Sequence, residues 1–353
     1  MAPMHSSARF PLLLAVSVVL IAATGVSGPA GADTPSAYAD GRRAFVADMA
    51  DTLGYDREAL AALMADARYR QDIIDAMNRP YEAKPWRDYR RLFVTPERID
   101  GGVAFLRAHA DLLRRVEAAY GVPPAVVTAI IGIETNYGGT LGSHRALDAL
   151  STLGFAYPRR AAFFRKELGE LLLLAREEQV DPRAAKGSYA GALGMPQFIP
   201  SSYRAYAVDF DGDGRRDLWD SPADVLGSVG HYLARHGWRR GGPVAAPALL
   251  SGAPPATVPV AEKRPARPQQ TLTQLADAGI APDPAGLAAM PAGDTRAVLL
   301  ALDGDGTEYW LGFENFYAIT RYNHSNLYAM AVHQLSQAIA AQAARAGGAH
   351  APG

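Results

Sequence analysis

No cysteine occurs anywhere in the chain. That excludes a disulfide framework, cysteine-ligated zinc, iron–sulfur clusters and a thiol nucleophile. With no cysteine after the N-terminal apolar run, a lipidated N-terminus is not expected either. An excess of one charge is also missing: 35 Lys and Arg stand against 36 Asp and Glu, a formal net charge of -1. This excludes a nucleic-acid binder working by bulk charge and a polybasic membrane-surface protein. There is no internal repeat. His231 and His236 lie five apart on a helical segment, with no His-Glu-x-x-His spacing that would suit zinc.

What is present is a 353-residue chain, 49% hydrophobic and 20% charged, as expected of a globular protein of two or three domains. Residues 1–32 read as a secretory signal peptide, with Arg9 as the basic region, an apolar run from Pro11 to Val26 and a small-x-small site at Ala30-Gly31-Ala32. The run is shorter than the roughly 20 residues of a spanning helix. The mature chain is therefore expected to begin near Asp33, to be exported (periplasmic or beyond) and soluble, and to have no stable membrane anchor.

From Arg42 to Tyr120 the pattern is helical. Asp56 is a candidate N-cap, Thr95-Pro96 opens a helix, and Arg98 to Tyr120 spaces Ile99, Val103, Leu106, Leu113 and Val116 at helical intervals before Gly121. Pro123-Pro124, Pro158 and Ser221-Pro222 open further helices. Residues 241–270 hold seven prolines and read as an extended or linker-like region. Arg296–Leu302 and Thr307–Phe313 read as strands joined by the turn residues 303–306. A last helix starts near Ser325, and Gly347 onward reads as a disordered tail.

On the helix ending near Asn136, Val127, Ile130 and Ile131 share a face with Glu134. An apolar surrounding and the negative end of a helix dipole both disfavour a carboxylate anion, which suits a general acid. A Glu turned out to solvent at the helix end fits the position equally well. Residues 187–198, Gly-Ser-Tyr-Ala-Gly-Ala-Leu-Gly-Met-Pro-Gln-Phe, place uncharged Ser188 and Gln197 among glycines that permit close approach of a ligand. The spacing is not that of a nucleophile elbow.

These segments, with Ile-Gly-Ile-Glu-Thr-Asn-Tyr-Gly at 131–138, Tyr-Pro-Arg-Arg at 157–160 and Arg-Tyr-Asn-His-Ser at 321–325, resemble the lytic murein transglycosylase B family, glycoside hydrolase family 103. The likeness runs from about residue 40 to 340. It implies a mainly α (α+β) fold: a lysozyme-like helical core, a helical domain and a small β-containing insertion. It implies cleavage of peptidoglycan glycan strands between N-acetylmuramic acid and N-acetylglucosamine. Carried over by motif, Glu134 is the catalytic acid. Ser188, Gln197, Arg159, Arg160, Tyr232, Tyr322, Asn323 and Tyr328 contact substrate, aromatic faces against sugar rings and neutral groups against N-acetyl and hydroxyl groups. The implied division is 33–121 helical domain, 122–242 catalytic core, 243–311 linker and β subdomain, 312–346 return to the core, and 347–353 tail.

Residues 209–220 place carboxylates at positions 1, 3, 5, 9 and 12 of an EF-hand-like loop, with Gly214 at 6. Asp209, Asp211, Asp213, Arg215 (position 7, a main-chain carbonyl in such loops) and either Asp220 or Asp224 form the candidate calcium set. Arg216 at position 8 and Asp220 in place of Glu at 12 depart from the usual pattern. The family uses a later Asp that matches Asp224, while Ser221 and Pro222 make Asp224 equally a helix-capping residue. Calcium would be structural, and no cofactor for chemistry is implied. No second carboxylate stands in the matched motifs. A 1,6-anhydromuramic product is therefore expected, with Glu134 serving as acid and then base. A non-catalytic peptidoglycan-binding protein and a lysozyme-type hydrolase, with Glu314 as a second carboxylate, are the alternatives.

Overall fold

Caps and prolines write several of the helix starts. The computed structural model describes residues 34–78 and 84–348, so the signal-peptide reading of 1–32 lies outside the described residues. The helices are α1 (Thr34–Leu53), α2 (Arg57–Ala65), α3 (Gln71–Met77), α4 (Trp86–Phe93), α5 (Pro96–Ala108), α6 (Ala110–Tyr120), α7 (Pro124–Thr135), α8 (Ala146–Ala156), α9 (Ala161–Glu177), α10 (Pro200–Tyr206), α11 (Pro222–Arg235), α12 (Leu272–Asp277), α13 (Glu314–Tyr322) and α14 (Asn326–Gly348). Asp56 accepts the Ala59 N–H at 2.7 Å to start α2, Thr95 caps α5 ahead of Pro96, and Ser221 caps α11 ahead of Pro222.

Four expectations need correction. The helix foreseen from Arg98 to Tyr120 breaks at His109, whose backbone leaves the helical region and turns the chain from α5 into α6. Pro158 opens a 3-10 turn (Pro158–Arg160), and α9 begins only at Ala161. Helix α14 continues through Gly348, past the expected start of the tail at 347, while 349–353 lie outside the described residues. The proline-rich linker contains sheet, Ala245–Leu250 with Pro247 opposite Trp310, and Val260–Ala261.

The strands are β1 (His144–Arg145), β2 (Lys186–Gly187), β3 (Ala245–Leu250), β4 (Val260–Ala261), β5 (Gln270–Thr271), β6 (Ile280–Pro282), β7 (Arg296–Asp303) and β8 (Thr307–Gly312). β1 and β2 pair alone. The larger sheet runs β4-β7-β8-β3-β6, with β5 on the far part of β7. The foreseen hairpin is β7–β8, closed at Asp303 opposite Thr307. Alternation on β7 explains its near-continuous burial. Val298, Leu300 and Leu302 face the main core, while Ala297 and Leu299 face a smaller one with Leu272, Leu275, Leu311 and Phe313.

Helix α7 is the axis of the main core. Every residue from Val126 to Thr135 is buried, between α5, α6, α11 and α14. No single helix among the described residues is long and apolar enough to cross a membrane.

Candidate active site

Glu134 lies in the last turn of α7 and is 3% exposed, so the solvent-facing alternative is excluded. It sits on a helix buried all round, and not on one apolar stripe. The helix end is held by two consecutive left-handed residues, Asn136 (φ 49°) and Tyr137 (φ 60°), whose N–H groups return to the carbonyls of Gly132 and Ile131. Tyr137 folds back along α7 and donates to the Arg98 carbonyl at 2.6 Å. A Cβ at Gly132 would come within 2.5 Å of the Tyr137 hydroxyl, which is why the motif carries glycine two residues before the acid.

Tyr328, near the start of α14, donates its hydroxyl to Glu134 Oε1 at 2.6 Å. Its ring stacks on that of Tyr322, 6.3 Å away and inclined by 10°. Burial, and the carboxyl of Glu134 after it, push both phenols well above their usual range, so they act as neutral donors. Tyr322 donates to the Pro196 carbonyl at 2.7 Å, and Tyr232 to the Arg321 carbonyl at 2.6 Å. Tyr232, Tyr322 and Phe198 pack with ring centroids 4.8–5.7 Å apart. The aromatic cluster thus joins α11, α13, α14 and the glycine loop beside Glu134.

Gln197 takes φ 53° and donates through Nε2 to Gly194 and Leu141 carbonyls at 2.8 and 3.3 Å. Its Oε1 is buried without a hydrogen-bond partner, and so is Oδ1 of Asn323 at the end of α13. Two neutral acceptors are therefore buried with their hydrogen-bonding capacity unused, which costs about 1–3 kcal/mol each unless a ligand or solvent supplies a donor.

The other sequence-selected residues fall differently. Ser188 is fully buried, and its Oγ accepts the N–H groups of Ala190 and Ala192 at 3.2 and 3.0 Å, so it shapes its own loop. Arg159 and Arg160 lie on the 3-10 turn before α9. Among the described residues no hydrogen bond or ion pair joins them to the Glu134 cluster, and the Arg160 guanidinium lies 4.3 Å over the Phe163 ring. Glu314 begins α13, whose other end carries Tyr322. Eight helical steps separate them, about 12 Å along the axis. Glu314 lines a separate cleft with Arg239 and Arg296.

In the acidic loop, Asp209, Asp211 and Asp213 bring ligand oxygens within 4.8 Å of one another, the oxygen-only donor set of a hard divalent cation. Asp209 accepts N–H groups of Gly214 (2.8 Å), Gly212 and Asp213, and the Gly214 bond first among these holds its carboxyl below the usual range. Asp220 and Asp224 are not in this group. Asp224 is fully buried and accepts the N–H groups of Phe210 and Asp217 at 2.7 and 2.8 Å, so it ties the two arms of the loop to α11. Asp220 is exposed on the surface beside the loop.

Sequence reading missed one linkage. Met195 N–H donates to the Leu218 carbonyl of the acidic loop at 2.7 Å, and the Met195 carbonyl accepts the Thr135 hydroxyl at 3.0 Å. The acidic loop therefore reaches the residue after Glu134 through two hydrogen bonds. The only sequence signal for this was Gly194, where a Cβ would lie 2.4 Å from the Leu218 carbonyl.

A helical core around the buried Glu134, with a small sheet beside it, is the architecture of the lysozyme-like transglycosylases. The chain belongs to the family described as the transglycosylase SLT domain, whose profile matches residues 38–337. It is 44% identical over 308 residues, 84% of this chain and 81% of the other, to the membrane-bound lytic murein transglycosylase B of Escherichia coli K12. Among solved structures, the soluble lytic transglycosylase SltB1 of Pseudomonas aeruginosa is 46% identical, with TM-score 0.78 over 85% of this chain and 98% of that one. The E. coli lytic transglycosylase Slt35, solved with calcium, is 43% identical, with TM-score 0.76 over 86% and 94%. SltB3 of P. aeruginosa, solved with NAG-NAM-pentapeptide, is 30% identical, with TM-score 0.73 over 88% and 80%.

Proposed function

We propose that this chain is an exported lytic transglycosylase that cleaves the β-1,4 bond between N-acetylmuramic acid and N-acetylglucosamine and leaves a 1,6-anhydromuramic end. One observation carries the reading: a buried glutamate hydrogen-bonded by a tyrosine of the aromatic cluster. Four acids are buried among the described residues, Glu134, Asp148, Glu167 and Asp224. The last three each accept main-chain N–H groups, from Arg68, from Ser201, and from Phe210 and Asp217. Those bonds are scaffold. Glu134 accepts a hydrogen bond from the phenol of Tyr328, whose ring stacks on Tyr322.

The steps follow from one carboxyl. Glu134, hydrogen-bonded by Tyr328 at Oε1, delivers the proton to the glycosidic oxygen as that bond breaks. The oxocarbenium-like centre is stabilised by the substrate's own N-acetyl group. Glu134, now a carboxylate, takes the proton of the 6-hydroxyl, whose oxygen closes on the anomeric carbon. Burial limits competition from water. The unused acceptors on Gln197 and Asn323 suit the N–H of N-acetyl groups, and the packed rings of Tyr232 and Tyr322 make the wall beside them. Ser188 acts by forming the loop. The likeness to Slt35 and the convergence of Asp209, Asp211 and Asp213, with the Arg215 carbonyl at position 7, support calcium held here in a structural role. Residues 122–242 with 312–346 form the catalytic core in this reading.

A non-catalytic binder has no use for an acid buried at a free-energy cost. Glu134→Gln tests the assignment: glycan binding should persist while release of soluble muropeptides falls by orders of magnitude. Release near the wild-type rate would remove Glu134 from its role.

A further inference from the structure

On the far side of the active-site wall lies a cleft of 610 Å³, within the size range of small-ligand sites. Its floor is aromatic. Trp219 lies 5.6 Å from Tyr203, ring to ring, and is fixed by its indole N–H on the Lys186 carbonyl at 3.1 Å. Around the rim stand Lys186, Arg215 and Asp220. Among the described residues none of these three side chains makes an ion pair or hydrogen bond. Neighbouring Arg216, by contrast, is bound to Glu178 and belongs to the wall. The cleft thus offers free charges of both signs over an indole face.

Its position links it to the reaction. Leu141 and Gly142 line the cleft, while the Leu141 carbonyl accepts the Gln197 amide on the other side. The partition is thin: a Cβ at Gly142 would fall 2.1 Å from the Gly187 carbonyl of β2, so main chain packs directly on main chain. An extended pentapeptide reaches ~17 Å, several times the ~4.8 Å spacing of neighbouring strands.

We propose that this cleft binds the stem peptide borne by the glycan strand, an amphoteric peptide carrying carboxylates and an ammonium group. The carboxylates meet Lys186 and Arg215, the ammonium meets Asp220, and the alkyl chain lies on Trp219. This rests on the transglycosylase reading, because only a peptide-bearing glycan brings such a ligand to this wall. It also places Asp220, absent from the cation cluster, in a binding role.

The test uses the full mature chain with calcium, the free stem peptide as probe, and two substrates: murein with its peptides and glycan strands stripped of them by amidase. The peptide should bind saturably by calorimetry and alter tryptophan fluorescence, and Trp219→Phe should remove the fluorescence change. Lys186→Glu should weaken peptide binding about two- to fivefold, the scale of one exposed charge pair. The same variant should slow cleavage of peptide-bearing murein while leaving the rate on stripped strands unchanged. Equal slowing on both substrates, no saturable peptide binding, or a Trp219 response to chitooligosaccharide instead of peptide would each overturn the proposal. Loss of activity on both substrates in the wild type would refute the reaction assignment, and the calorimetric titration would still judge the cleft.

Discussion

Glu134 and Tyr328 come from positions 194 residues apart, and one hydrogen bond joins them in the interior. A hydrogen bond to an ionised group is worth about 1.5–3 kcal/mol, and the bond matters most when Glu134 becomes a carboxylate between its two proton transfers. Tyr328→Phe should therefore lower turnover about 10- to 100-fold. KM should change little, because the phenol is buried and its hydroxyl is committed to Glu134. Steady-state kinetics on purified murein separates the two. A rise in KM with unchanged turnover would show that the phenol binds substrate and leaves the acid alone. Gly132 is the second residue-scale test. Gly132→Ala drives a methyl into the Tyr137 hydroxyl and should destabilise the fold by about 1–3 kcal/mol, read as a lower midpoint in urea.

At the scale of elements, the acidic loop and the glycine loop behave as one unit. Asp224 closes the acidic loop, Leu218 receives Met195, and Met195 receives Thr135 at the end of α7. Millimolar calcium should raise the melting temperature, because it binds the folded loop only, and Asp209→Ala with Asp213→Ala should abolish the rise. Differential scanning calorimetry in chelator and in calcium decides it, and identical traces would count against the site. The elements also show what was legible in sequence. Helix starts at Asp56, Thr95 and Ser221 were readable, because a cap is a local interaction within three residues. The break at His109 and the strand Ala245–Leu250 were not. The first arises where α5 and α6 pack on different neighbours. The second exists only through pairing with β8 and β6, far along the chain. In the site, Glu134, Gln197 and the tyrosines stood in motifs, whereas the structural duty of Asp224 depends on loop main chain that no spacing rule contains.

The whole molecule holds its β sheet against the helical core partly through His333 on α14. Its ring meets Trp310 of β8 edge-on at 6.1 Å, and its Nε2 is buried without a partner. Burial pushes its pKa down to about 4. The folded state thus binds this proton more weakly than the unfolded chain, whose histidine titrates near 6.5. The contribution is complete above pH ~6.5 and is lost as pH falls towards 4, about 3 kcal/mol in all. His333→Leu should flatten this part of the stability–pH curve measured by urea unfolding, and an unchanged curve would place the acid sensitivity elsewhere. Above this scaffold stands the central claim, that one carboxyl performs both proton transfers and no enzyme-activated water attacks. Digestion of murein in heavy-oxygen water, followed by mass spectrometry of the released muropeptides, tests it most directly. The account predicts unlabelled products ending in 1,6-anhydromuramic acid that resist borohydride. Products that carry the heavy oxygen at a reducible muramic end would contradict it and show a hydrolase.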